Sequence, residues 1–240
     1  MTQGLNLTLS SISYIRNNNF GKIYRYCILI GLVLSAFFLI MIIWGSMGVK
    51  SLLASLAIAS TLTAIPLVGA FLSFLIMIWL YTLIAAPIIL VAMGPILSRV
   101  AQRTIEVESG SKPEEQKFFH NLGRTILVVL VNLSIQLFIL FLLTLMGWFM
   151  PIKIITFILT LCVNAYFYAS SMADYTLELL GMSTIESLRY GRRNIRRFVG
   201  LGLIFATLMV IPFVGPFIAL MLAPATTAAC ARSYFLESHK

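Results

Sequence analysis

The sequence predicts an all-α fold: a polytopic helical bundle in a membrane, with long membrane helices and helical hairpins that penetrate only part of the bilayer. Three observations predict it. First, no charged side chain stands between Lys50 and Arg99, and similar deserts lie at 26–49, 125–152, 154–173 and 198–231. A charge at the hydrocarbon centre costs roughly 2.5–3.5 kcal/mol even on a lenient insertion scale, so such stretches suit lipid. Second, 60% of the 240 residues are hydrophobic and only 10% charged, a balance that excludes an ordinary soluble domain. Third, the first apolar run, Tyr26 to Gly48, exceeds the ~7–15 residue core of a cleaved signal. It should stay as a membrane helix.

The length fits one membrane domain over 1–240, opened by a basic N-terminal segment, 1–25, that carries Arg16, Lys22 and Arg25. A helix at about 26–48 follows. The next apolar run is interrupted by Ala64-Ile65-Pro66-Leu67-Val68-Gly69, where Pro removes a backbone donor and Gly relaxes the chain. The expectation is a short arm at about 51–64, then a helix at about 70–97 with an amphipathic extension near 98–107. Residues 108–120 form a polar loop, expected on the cytoplasmic side. Helices at about 121–147 and 153–181 are separated by the turn Gly147-Trp148-Phe149-Met150-Pro151.

A basic amphipathic helix is expected at 183–197. Ser183 and Glu186 have the spacing of a capping box. At about 100° per residue Ile185, Leu188, Ile195 and Val199 share one face. Arg189, Arg193, Arg196 and Arg197 gather on the other, with Arg192 at the seam. Such a helix lies in the headgroup plane, either as an anchor to anionic lipid or as an attractor for an anionic substrate. The chain closes with a second interrupted run, 198–235.

The two interruptions echo one another. Ile65-Pro66-Leu67-Val68-Gly69 resembles Ile211-Pro212-Phe213-Val214-Gly215, which Pro216 follows. Each comes after an apolar arm of roughly 13 residues, about 20 Å against a ~30 Å core. An arm that short turns back as a re-entrant hairpin or joins its neighbour in a broken helix, and the freed backbone groups need protein or water as cover.

Basic residues set the expected orientation. Fifteen lie in the N-terminal segment, 98–124, 174–197 and the C-terminal tail; only Lys50 and Lys153 lie elsewhere. Both termini and both large loops are therefore expected in the cytoplasm. The net charge of +9 reads as loop retention together with attraction to anionic headgroups, or as attraction for an anionic substrate; no soluble module is present to hold nucleic acid.

Candidate chemistry is sparse. Asp174 and Glu178, i and i+4 at the edge of an apolar run, call for partners, and the arginines of 189–197 are the nearest in sequence; the alternative is a proton relay. Asn132 and Gln136 share a face and Asn164 lies on the following helix, as hydrogen-bonding glue or a polar path. Cys27, Cys162 and Cys230 lack paired spacing and read as buried thiols. His120 and His239 stand alone. There is no phosphate-cradling Gly loop, nucleophile elbow or metal spacing, so no catalytic residue, cofactor or metal is expected and the chain does not read as an enzyme.

The order of features resembles the CysZ-type sulfate permeases, a family that also includes the eukaryotic etoposide-induced membrane proteins. The resemblance covers about residues 20–235. It rests on Leu83-Ile84-Ala85-Ala86-Pro87, on Ala173-Asp174-Tyr175 with Ser187-Leu188-Arg189 and the basic helix, and on Ile211-Pro212 with the later Pro224 in a small-residue tail. The resemblance implies a sulfate-like inorganic anion as substrate, a homo-oligomer, and the inner (plasma) membrane for a bacterial member. It further implies an anion site just before the first membrane helix. The matching stretch here is Gly21-Lys22-Ile23-Tyr24-Arg25-Tyr26, in which Arg25 keeps a basic position, Tyr24 occupies another and Lys22 supplies a second charge. Gly21, Lys22 and Arg25 are thus the candidate anion ligands. Pro66, Gly69, Pro87, Asp174, Arg189, Pro212, Gly215, Pro216 and Pro224 are candidate structural or gating positions.

Overall fold

The computed structural model describes residues 1–18, 20–55, 90–111, 118–149, 153–211 and 214–238. Every regular element among them is helical. In chain order these are α1 (Thr2–Asn17), α2 (Gly21–Ser55) and α3 (90–109), then α4 (Phe118–Phe149) and α5 (Lys153–Leu179). They are followed by α6 (Thr184–Arg193), α7 (Ile195–Met209) and α8 (Val214–Ser238). Among the described residues, four stretches are long and apolar enough to cross a bilayer: Arg25–Gly45, Ile126–Gly147, Ile154–Leu179 and Val214–Leu236. The all-helical membrane bundle read from the charge deserts is the observed architecture.

The centre of the bundle is α8. Residues 223–231 are buried without interruption, and all are small (Ala, Pro, Thr, Cys). Small side chains let neighbouring backbones approach closely, which is how helices pack where lipid removes the hydrophobic drive. Accordingly α1, α2, α5 and α7 all pack on α8. The helix continues through the buried Pro224, although that residue has no N–H to give the preceding turn.

The tightest crossing is between α5 and α7. A Cβ on Gly202 would strike the backbone of Ala165, so only glycine permits this approach. One turn on, Phe205 is fully buried and meets Tyr168 edge-on at 5.3 Å. At ~1.5 Å per residue α7 spans about 22 Å, less than the ~30 Å apolar core. It is the short arm anticipated before Pro212. The chain reverses at Val210 and Ile211, where Gly215 N–H donates to Ile211 at 3.1 Å; the buried Gly215 sits close against the Leu208 carbonyl.

One expectation is corrected. The basic segment is two helices: α6 ends at Arg193, and α7 begins after Asn194, whose φ of −113° breaks the run. Ile195, Val199, Arg196 and Arg197 therefore belong to α7, with a different phase. The inward face of α6 is Ser187 and Gly191, while Ile185 is 69% exposed. In the N-terminal segment, Thr2–Asn17 is a helix that buries Gly4, Thr8, Ser11 and Ile15. Thr8 Oγ1 donates across to the Leu201 carbonyl at 3.0 Å.

Candidate functional site

A polar seam runs down the packed faces of α4 and α5. Arg124, Asn132 and Gln136 stand at multiples of four residues and so share one face of α4. Gln136 Nε2 donates to Asn164 Oδ1 at 2.7 Å, and Asn132 Nδ2 to Ser171 Oγ at 3.1 Å. The first is an inter-helix bond anticipated from sequence; the second ends on Ser171, a partner unread there. In hydrocarbon such bonds each contribute about 0.6 kcal/mol on average, so they fix register more than they supply stability.

At its polar end the seam closes on charges. Arg124 Nη2 donates to Asp174 Oδ1 at 3.1 Å, and its Nε lies 3.8 Å from Glu178 Oε1. Both carboxyl side chains are 4% exposed and the guanidinium 13%. Ser187 Oγ donates to the same Asp174 oxygen at 2.6 Å. Desolvating charges costs several kcal/mol each unless they are paired and hydrogen-bonded, and here two helices plus α6 supply the partners.

The turn after α5 builds the rest of the cluster. Gly181 adopts φ +79°, a left-handed conformation that glycine takes without steric cost. Its N–H donates to Glu178 at 2.9 Å and that of Met182 to Leu177 at 3.0 Å, the paired bonds of a Schellman ending. The reversal leaves the Met182 carbonyl facing Arg124 Nη1, 2.5 Å away. The next residue starts α6 with a complete capping box: Ser183 Oγ accepts from Glu186 N–H at 3.4 Å, and Glu186 Oε2 accepts from Ser183 N–H at 2.8 Å. These Ser183 bonds hold the Glu186 carboxyl below its ordinary range. Asp174 is thus paired as its position demanded, but with Arg124 of α4. Arg189 points to solvent on α6.

A second polar junction, unread in the sequence, forms around Arg232 of α8. Its Nε lies 3.2 Å from Glu108 Oε1, its Nη1 donates to Ser10 and Ser11 Oγ at 3.3 Å, and its guanidinium covers the Tyr14 ring at 4.6 Å. One side chain thereby ties α1, α3 and α8. Burial and the neighbouring Glu108 push the Tyr14 hydroxyl up to about 12, so it stays protonated.

The candidate anion ligands open α2. Gly21 is its first residue and is exposed; Arg25 is exposed one turn on. Lys22 belongs to the same turn, with its side chain outside the described residues. Gly21 also borders a cleft of about 390 Å³ that Arg16 lines from α1. Gly215 and Pro216 are buried in the first turn of α8, and Pro224 is buried further along it. Pro66, Gly69, Pro87 and Pro212 lie outside the described residues. Among the described residues no cluster of His, Cys, Asp or Glu has the makings of a metal site, and all three cysteines are free.

No curated protein matches the sequence significantly. The profile of one family, described as sulfate transporter CysZ/etoposide-induced protein 2.4, matches residues 8–219, from the middle of α1 into α8. A match over that much of the chain places this protein in the sulfate transporter CysZ/etoposide-induced protein 2.4 family.

Proposed function

We propose that the protein is a permease or channel for a small inorganic anion, with sulfate the first substrate to test. The observation that carries this reading is the family match over residues 8–219. The exposed Gly21–Arg25 turn, at the edge of the first span, supports an entrance there. Sulfate is a dianion that sheds water only for several donors; Arg25 offers a planar fork and Lys22 a point charge. A conducting site must also release its ion, so a few cations suit it better than a closed cage. The transport is passive or gradient-linked and involves no chemistry on the anion.

The same reading places the chain in the inner (plasma) membrane if it is bacterial. Both termini and the basic α6 face the cytoplasm and the anionic headgroups, as fifteen of the seventeen basic residues favour. It assembles as a homo-oligomer, for which the exposed apolar residues of α2, among them Leu29, Val33, Phe37 and Ile40, offer surface. Radiolabelled sulfate uptake into liposomes, with and without Arg25→Ala, is the test. Uptake no greater than in empty liposomes refutes transport.

A second reading, a non-transporting protein that organises lipids or partners, is favoured by α6 itself. Arg189, Arg192 and Arg193 are exposed beside the exposed Ile185, and Arg196 follows on α7. Arg197 is turned inward, donating to the Ser233 carbonyl at 3.3 Å. This reading expects lipid or partner binding to fall when the exposed arginines are neutralised, without any anion flux.

A further inference from the structure

We propose that the cleft between α1, α2 and α8 is a binding site for one anionic phospholipid, its phosphate at Arg16 and an acyl chain running between α2 and α8. The cleft has a mixed polar and apolar lining. Ser13 and Arg16 of α1 and Gly21, the first residue of α2, line it together with Ile12 and Ile15 of α1 and Met221, Leu222 and Ala225 of α8.

The first span begins at Arg25, so Gly21 sits one turn, about 6 Å, outside it. Tyr26 is 62% exposed next to the exposed Arg25, a basic and aromatic pair of the kind that marks the headgroup level. Further along α2, Gly31 packs on Leu220 of α8. Met221 and Leu222 lie inside the Val214–Leu236 span. A molecule filling this cleft meets the Arg16 guanidinium and the Ser13 hydroxyl as well as hydrocarbon side chains.

Three features select an anionic lipid. Arg16 has no carboxylate partner among the described residues, so no ion pair offsets it at the mouth. The Ser13 hydroxyl beside it is a second donor for a phosphate oxygen. The outer surface of α1 exposes Leu9 and Ile12, an apolar edge next to a basic one, as on helices that lie in the membrane interface. The cleft therefore opens toward lipid. A free sulfate suits it poorly, because the deeper wall would desolvate the ion without giving it donors. The site does not depend on the transport reading: failure of sulfate uptake leaves it standing.

The test equilibrates purified full-length protein with mixed micelles of equimolar phosphatidylglycerol and phosphatidylcholine, and reads retained lipid by native mass spectrometry. One phosphatidylglycerol is expected to be retained in about fivefold preference, the size of one basic contact at a charged surface. Arg16→Gln removes the preference, and Ser13→Trp, which fills the mouth, lowers retention of both lipids. Arg16 and Ser13 are exposed, so both variants fold, as circular dichroism and monodispersity will verify. Equal retention of the two lipids by the unmodified protein, or a preference that survives Arg16→Gln, overturns the proposal. So does unchanged retention in Ser13→Trp, or displacement of phosphatidylglycerol by millimolar sulfate, which would mark a site for free oxyanions.

Discussion

Arg124 and Asp174 meet at 3.1 Å across two helices, and Ser187 of a third donates to the same carboxylate oxygen. The pair joins the polar ends of α4 and α5 and seats α6 upon them. Removing one partner leaves the other buried and uncompensated, at a cost of about 3–5 kcal/mol. Arg124→Ala, which orphans two carboxylates, is expected to lower the melting temperature in detergent more than Asp174→Asn does. The double variant should be markedly less unstable than the sum of the two. Strict additivity in that cycle is the result that would deny a coupled buried pair.

Further along the seam, Gln136 and Asn164 form a neutral hydrogen bond at 2.7 Å. Replacing both by Leu in a double-mutant cycle should give a coupling of about 0.6 kcal/mol and no more than about 1.7. Reversible unfolding in mixed micelles measures it. A much larger coupling would mean that the seam carries a polar load beyond helix register.

Gly202 faces the Ala165 backbone with no room for a Cβ. Gly202→Val is expected to cost at least the ~1–3 kcal/mol of ordinary overpacking, since the obstacle is backbone that cannot rotate away. Gly123, whose Cβ would meet open space, is the control: Gly123→Ala should be neutral or slightly stabilising. Thermal unfolding of the two variants side by side decides the matter.

The α6 capping box gives a pH dependence of known sign. Bonds from Ser183 lower the Glu186 carboxyl in the folded chain. Its contribution is therefore complete above the ordinary carboxylate range and is lost as the pH falls through the lowered folded value. Protection of the first-turn amides of α6, taken as the exchange rate relative to the intrinsic rate at each pH, should fall on acidification below that range in the unmodified chain. In Glu186→Gln the acid-dependent step should shrink. If the protection of the first turn is the same at neutral and acid pH, the box contributes nothing.

Much of this was legible in the sequence for identifiable reasons. Charge deserts locate spans because lipid penalises charge uniformly, and the Ser183–Glu186 spacing is a local geometric signature. Asn132, Gln136 and Asn164 are conspicuous because polar side chains there have few places to go. Arg124 was missed because a lone arginine at the head of an apolar run reads as a retention charge; its phase with Asn132 and Gln136 was the available clue. The helicity of Thr2–Asn17 escaped notice because its buried stripe is Gly4, Thr8, Ser11 and Ile15, small and mostly polar residues that leave no apolar period. The break at Asn194 was hidden because the capping box and the arginine spacing both suit one continuous helix. Of the candidate anion turn, only resemblance gave notice: three residues before an apolar run carry no chemistry of their own that spacing can reveal.

The uninterrupted burial of 223–231 at the heart of α8 bears on how the protein is made. The ribosome delivers α8 after every helix that leans on it, so α1, α2, α5 and α7 must wait in the membrane without their common support. Their small-residue and polar surfaces are then open to strangers: other nascent chains, surveillance proteases, insertion factors. Completion of this one hairpin, α7 with α8, is the step at which a loose collection of spans becomes a single body.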